Sequence, residues 1–159
     1  MFVIPMAGMS SRFTKAGYTK PKYMLDLNGS PLFDHCVASF KAYFKTDAFL
    51  FIARSEAETE YFIKQRCAEL GIEKFEIVIL DSPTQGQAET VALGLSQSSL
   101  EDDSGITIFN IDTIRKNYQH PIGAMINSEG FLEVFSGAGD NWSFAELESE
   151  DSTVVIRTT

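Results

Sequence analysis

The chain has 159 residues, of which 44% are hydrophobic and 12% aromatic, and a formal charge of −9 at neutral pH. That length fills one core of ordinary size rather than two. The acidic balance excludes general binding to nucleic acid or anionic lipid, both of which need a broad basic face. No apolar run reaches the roughly 20 residues of a bilayer-spanning helix. Cys36 and Cys67 both fall on apolar faces of expected helices, and no basic segment precedes Phe2. Reduced thiols and a cytoplasmic location are therefore expected, and the sequons at Asn28 and Asn141 are read as coincidental.

Residues 2–5, "FVIP", form a short apolar run that closes on a Gly- and Ser-containing loop, the pattern of a buried strand ending at a functional turn. Asn28-Gly29 is a turn dipeptide. Pro31 then opens a helix on which Leu32, Phe33, Cys36, Val37, Phe40 and Phe44 share one stripe. "AFLFIA" (48–53) is a second buried strand. Ser55 is expected to cap a helix carrying Phe62, Ile63, Cys67 and Leu70, with Gly71 ending it. "FEIVIL" (75–80) is a third strand, followed by the loop "DSPTQG" and a helix with Ala88, Val91, Ala92 and Leu95 on one face. "ITIFNID" (106–112) is a fourth strand, ending on Asp112. Strands alternating with helices predict a largely parallel sheet covered on both faces. Beyond Asp112, "FLEVFS" (131–136), "WSFAEL" (142–147) and "TVVIRT" (153–158) read as antiparallel strands appended to that core. The acidic run 146–151 reads as a solvated turn.

The chemistry concentrates in three loops that follow strands, where an open parallel sheet binds its ligands. Residues 1–25 contain no Asp or Glu but carry Arg12, Lys15, Lys20 and Lys22, so a small anion is expected there. Gly8, with the small Ser10 and Ser11 after it, lets backbone N–H groups approach phosphate oxygens, and Arg12 and Lys22 add charge. The alternative is a plain tight turn with solvated cations. Asp112 is either a carboxylate for a phosphate-bridging divalent metal or a cap, and Asn110 is either a ligand or a local backbone partner. At "SPTQGQAE", Gly86 opens the next helix, and the nearby Asp81, Thr84 and Gln85 could read the edge of a flat heterocycle or simply cap that helix. His35 diverges from Cys36 on its helix, which argues against a nucleophile pair. His120 stands alone, and Trp142 is read as a packing aromatic.

Taken together, "PMAGMSSRF" leading into Pro21-Lys22, then "QGQAETV", then "NID" at a strand end, resembles the sugar-phosphate nucleotidylyltransferases. Their x-G-x-G-x-R loop and following P-K match in order and spacing from Ile4 through Lys22, and "GDNWSF" and "TVVIRTT" extend the likeness along nearly the whole chain. The resemblance implies an α/β, Rossmann-like three-layer nucleotidyltransferase (glycosyltransferase-A-like) fold, a mostly parallel sheet with appended antiparallel strands. It implies transfer of a nucleotidyl group from an NTP to a sugar 1-phosphate, with Mg²⁺ as cofactor, in the synthesis of surface-polysaccharide precursors. Ala7, Gly8, Ser10 and Ser11 would then line the nucleotide, Arg12 and Lys22 would act on its phosphates, Gln85 and Gly86 would meet the base, and Asp112 would hold the metal.

Two departures qualify it. Ser10 replaces the loop's second glycine, which requires its backbone to avoid a strongly positive φ. A further metal-binding aspartate and much of the sugar-phosphate site follow an E-K pair in the family, so residues 1–159 are expected to be a single domain cut short on its sugar-binding side. The expected partners are the NTP and the sugar 1-phosphate, without nucleic acid or membrane, and a homo-oligomer is left open. The rivals are a nucleotide-sugar-dependent glycosyltransferase, whose Asp-x-Asp would fall on Asn110-Ile111-Asp112, and a nucleotide-binding module without turnover.

Overall fold

A computed structural model describes residues 1–56, 58–101, 104–126, 128–139, 144–149 and 155–158. The chain divides into two units, Met1–Tyr118 and Gln119–Thr159.

The first unit runs β1 (Phe2–Pro5), α1 (Ser11–Lys15), the two-residue strands β2 (Asp26–Leu27) and β3 (Ser30–Pro31), α2 (Leu32–Val37), β4 (Phe49–Arg54), α3 (Thr59–Leu70), β5 (Phe75–Leu80), α4 (Gln87–Gln97) and β6 (Thr107–Ile108). Its main sheet has the order β5-β4-β1-β6, with every neighbouring pair parallel. Val3 lies opposite Leu50 on one side and Ile108 on the other. The central strands are apolar on successive residues because helices cover both faces. Phe2, Ile4, Phe49 and Phe51 join Phe33, Phe40, Ile63 and Cys67 in one core cluster. Val3, Leu50 and Ile52 alternate onto the opposite face with Val78, Leu80 and Val91. Three layers result, and the expected α/β architecture is present.

The first cluster is built from rings. Phe2 and Phe40 have centroids 4.4 Å apart, and Phe40 meets Phe109 edge-on at 4.7 Å, a geometry aromatic pairs favour. This packing explains one difference from the sequence reading. The stripe from Leu32 to Phe44 is real, but α2 ends at Val37 and gives way to a 3₁₀ segment, Ala38–Tyr43, with Phe40 at φ −108°. The tighter turn keeps the fully buried Phe40 against the sheet.

Three further expectations are corrected. Ser55 does not cap α3: its N–H donates to the Leu80 carbonyl at 2.9 Å, prolonging the β4–β5 ladder, and α3 starts at Thr59 after a left-handed Glu58 (φ 66°). Gly71 does end that helix, at φ 78°. The fourth strand is far shorter than residues 106–112: β6 is two residues long, one more ladder bond joins Phe109 N–H to the Val3 carbonyl at 3.0 Å, and Asp112 lies beyond it on a turn.

In the second unit, α5 (Ile122–Met125) precedes β7 (Ala145–Leu147), which pairs antiparallel with β8 (Val155–Thr158). Residues 131–136 alternate but are not a strand, and Phe135 is 70% exposed. Trp142 and residues 150–151 of the acidic run lie outside the described residues, while Glu148 and Ser149 form an exposed bend. No helix among the described residues is long and apolar enough to cross a membrane.

Gly94 marks the closest approach of α4 to the sheet. A Cβ there would fall inside van der Waals contact of the Ile52 side chain, which is itself fully buried. Gly94→Ala is expected to lower stability by about 1–3 kcal/mol through overpacking. Ile52→Val, which removes the nearest methyl, should recover part of the loss, as read by chemical denaturation.

Candidate functional site

Strand β1 delivers its chain to the carboxyl edge of the sheet. Met6 and Ala7 are still buried, with Met6 N–H donating to the Ile52 carbonyl at 2.8 Å, and the chain reaches solvent at Gly8. A Cβ at Gly8 would meet nothing within 4 Å, so this backbone borders open space. Ser10 then adopts φ 49°, ψ 31°. Its φ stays clear of the strongly positive values reserved for glycine, as expected for serine at this place, although it lies in the left-handed region. The loop needs a left-handed turn to start α1, whose first bonds run from Phe13 and Thr14 N–H to the Ser10 carbonyl, and Ser10 makes that turn at the strain cost of about 1–2 kcal/mol such a residue incurs.

A cleft of about 260 Å³ lies at the ends of β1 and β6 and the start of α4, with Ala7, Gly8, Lys22, Gly86, Gln87 and Asp112 in its wall. Lys22 reaches it because its neighbour is anchored. Tyr23 is 3% exposed, and its hydroxyl shares a 3.0 Å hydrogen bond with the buried Thr59 hydroxyl. Burial pushes the Tyr23 phenol above its usual range and keeps it neutral. With Tyr23 pulled into the core, the adjacent Lys22 faces the cleft and its Nζ donates to Asp112 Oδ2 at 2.7 Å. The pair is only partly shielded, Lys22 being 23% and Asp112 50% exposed in their side chains.

The α4 side of the cleft is tied by its own bonds. Thr90 N–H and Oγ1–H both donate to the Gly86 carbonyl, at 3.1 and 3.0 Å, and the Thr84 and Thr90 hydroxyls are 2.6 Å apart. The Gln85 N–H donates to Glu89 Oε2 at 2.5 Å, tying the loop to the first turn of α4, while Gly86 at the N-cap makes no side-chain cap bond. Gln87 Nε2–H donates to Asn110 Oδ1 across the cleft wall.

The structure thus brings Ala7, Gly8, Lys22, Gly86 and Asp112 together. Ser10 lines a different cavity of about 530 Å³ beside Met9, Tyr18, Lys20 and Arg54. Ser11, Arg12 and Gln85 are exposed and line neither, because the turn at Ser10 carries the chain off into α1 and the Gln85 backbone serves the α4 cap. Gln87 and Thr90 escaped the sequence reading, and only the "QGQAET" spacing about Gly86 hinted at them.

Residues 2–120 match the MobA-like NTP transferase domain. The chain belongs to that family. Among solved structures, the nucleoside-diphosphate-sugar pyrophosphorylase from Vibrio cholerae RC9 is 53% identical and superposes with a TM-score of 0.92 over 99% of this chain and 66% of its own. The present chain thus spans just under two thirds of that relative's length. A UDP-glucose pyrophosphorylase complexed with UDP-glucose is 15% identical, with a TM-score of 0.49 over 70% of this chain and 45% of its own. No curated protein matches.

In this NTP transferase domain, no three His, Cys, Asp or Glu side chains among the described residues could hold a metal by themselves. Asp112 nevertheless fits Mg²⁺, which usually binds through one or two carboxylates, retained waters and substrate phosphates. Its carboxylate is half exposed in the cleft wall, and only Oδ2 is engaged, by Lys22.

Burial pushes both Cys36 and Cys67 up to about 12, helped for Cys36 by the negative charge of Asp112 and opposed by Lys22. Neither is a nucleophile at neutral pH. Unfolded thiols ionise near about 8.5, so the unfolded chain loses these protons first. The stability they contribute is complete below that pH and declines as pH rises toward 12. Native protein at pH 8 should leave both thiols unreacted with an aromatic disulfide reagent, and denaturation should release both. Rapid reaction of the native state would contradict this assignment.

Proposed function

We propose that this domain binds a nucleoside triphosphate in the cleft of Gly8, Lys22, Gly86 and Asp112 and transfers its nucleotidyl group to a sugar 1-phosphate, releasing pyrophosphate. The observation that carries the reading is the Lys22–Asp112 pair, a cation and a carboxylate held 2.7 Å apart beside bare backbone. The match to the Vibrio structure named a nucleoside-diphosphate-sugar pyrophosphorylase supports it.

The acceptor's phosphate oxygen attacks the α-phosphorus in line, the bond from that phosphorus to the bridging oxygen breaks, and pyrophosphate leaves. No covalent enzyme intermediate is needed. The attacking oxygen is already ionised, so no general base is needed either, and His35 is occupied with the Leu27 carbonyl at 2.7 Å. What this chain's residues must do is position the reactants and stabilise charge. Lys22 turns from Asp112 to the α-phosphoryl oxygens, while backbone at Gly8 borders the phosphates and Gly86 the base. Breaking the pair costs little, since exposed ion pairs contribute roughly 0–1 kcal/mol. Asp112 would hold Mg²⁺, which when bound would neutralise phosphate charge. Synthesis of surface-polysaccharide precursors in the cytoplasm is the setting proposed for this reaction.

The glycosyltransferase reading is weaker, because the first position of an Asp-x-Asp is Asn110 and its side-chain oxygen is taken by Gln87. Pyrophosphate release with each of the four NTPs tests the choice. The expected result is one preferred base and release only when a sugar 1-phosphate is also present. Lys22→Ala should lower turnover on the order of 10²- to 10³-fold with the fold intact, while Lys15→Ala, on the exposed α1, should change little. Turnover of a nucleotide sugar with a sugar acceptor, without pyrophosphate release, would overturn the proposal.

A further inference from the structure

Asp112 lies beyond the sheet on a turn, so the β ladder does not hold it. Its position is set from α2 and the 3₁₀ segment that continues it. The buried Cys36 thiol donates to the Ile111 carbonyl at 2.9 Å. Three residues further along the same helical segment, Ser39 Oγ accepts the Arg115 N–H at 2.9 Å. Residues three apart share a helix face, so one face grips the 111–115 loop on either side of Asp112. The grip is reinforced from within: the Ile111 side chain is 2% exposed in the aromatic cluster, and the Thr113 N–H donates to the Asn110 carbonyl at 3.3 Å. The thiol keeps its proton, and hence its donor, throughout the neutral range.

We propose that Cys36 on α2 and Ser39 on the 3₁₀ segment that continues it are positioning residues for nucleotidyl transfer, fixing the 111–115 loop so that Asp112 presents its carboxylate in the cleft. This rests on the function proposed above. It gives the thiol and the hydroxyl a role that apolar patterning alone does not assign, because Cys36 on an apolar stripe reads as core filling. A carboxylate on a loose loop would still offer charge, but it would have to be ordered each time a metal–nucleotide complex bound. Partners that orient a metal ligand typically contribute about 10- to 100-fold in metal affinity.

The test uses Mn²⁺ as a paramagnetic probe, titrated into the protein saturated with a non-hydrolysable NTP analogue and followed by electron paramagnetic resonance. Ser39→Ala and Cys36→Ala are expected to weaken Mn²⁺ binding about 10- to 100-fold, with nucleotide affinity in the absence of metal unchanged. Ser39→Thr and Cys36→Ser, which keep the acceptor and the donor, should recover most of the loss. Should Cys36→Ala fail to fold, the half-buried Ser39→Ala carries the test. Wild-type Mn²⁺ affinity in the alanine variants would overturn the proposal, and so would an equal loss of metal-free nucleotide binding, since that is what a merely structural contact produces. Asp112→Asn in the same titration separates the two readings. If it leaves Mn²⁺ binding intact, the cleft assignment itself fails and the positioning role with it. If it abolishes binding while the Cys36 and Ser39 variants do not, only the positioning role falls.

Discussion

Enclosure of β1 organises the first unit. Phe2, Val3 and Ile4 are at most 1% exposed, and the strand is paired along both edges, by β4 and β6. Phe2, Val3 and Ile4 offer solvent almost nothing, Pro5 is half-buried at the cleft wall, and the chain first becomes exposed in the Gly8 loop at the carboxyl end of β1. The loops after β5 and β6 emerge at the same edge because all the main-sheet pairs are parallel. The cleft is thus a consequence of topology, and the chemistry depends on which residues those three loops carry.

Within the cleft, two opposite charges hold each other in place. Lys22 is directed there by the anchoring of Tyr23 against Thr59, and Asp112 by the burial of Ile111 and the bonds from Cys36 and Ser39. Both charges are therefore positioned by neutral, buried neighbours rather than by their mutual attraction, which is weak at this exposure. The arrangement is suited to exchange. A polyanion with its cation can replace the intramolecular pair without disturbing the core that aims the two side chains.

Much of this was legible in the sequence where one physical signal dominated. The runs at β1 and β4 are unbroken apolar stretches and that at β5 is broken only by Glu76, and their strands lie within a residue of where the pattern puts them. Gly71 ends its helix because the left-handed turn there suits glycine. Lys22 and Asp112 stood out as charges beside apolar segments. What was not legible depended on partners distant in sequence. Ser55 has the composition of a cap, but the Leu80 carbonyl competes for its N–H; α2 gives way at Val37 to a 3₁₀ segment whose Phe40 meets rings on β1 and beside β6. Residues 131–136 alternate like a strand but are not one, because alternation by itself does not supply a ladder. The Gln87–Asn110 bond and the grip of Cys36 and Ser39 join residues 23, 75 and 76 positions apart, and no local pattern announces contacts of that kind. Nor did any local pattern announce the left-handed turn at Ser10 that starts α1.

The central claim is that the Lys22–Asp112 pair is the phosphate and metal site in its resting arrangement. A crystal structure of the protein with a non-hydrolysable NTP and Mg²⁺ tests it most directly. The account predicts that the pair is separated, with Lys22 Nζ within hydrogen-bonding distance of the α-phosphate, Asp112 on the metal and the base against Gly86. A nucleotide seated instead in the cavity beside Met9, Tyr18 and Lys20, with the Lys22–Asp112 contact intact, would contradict it.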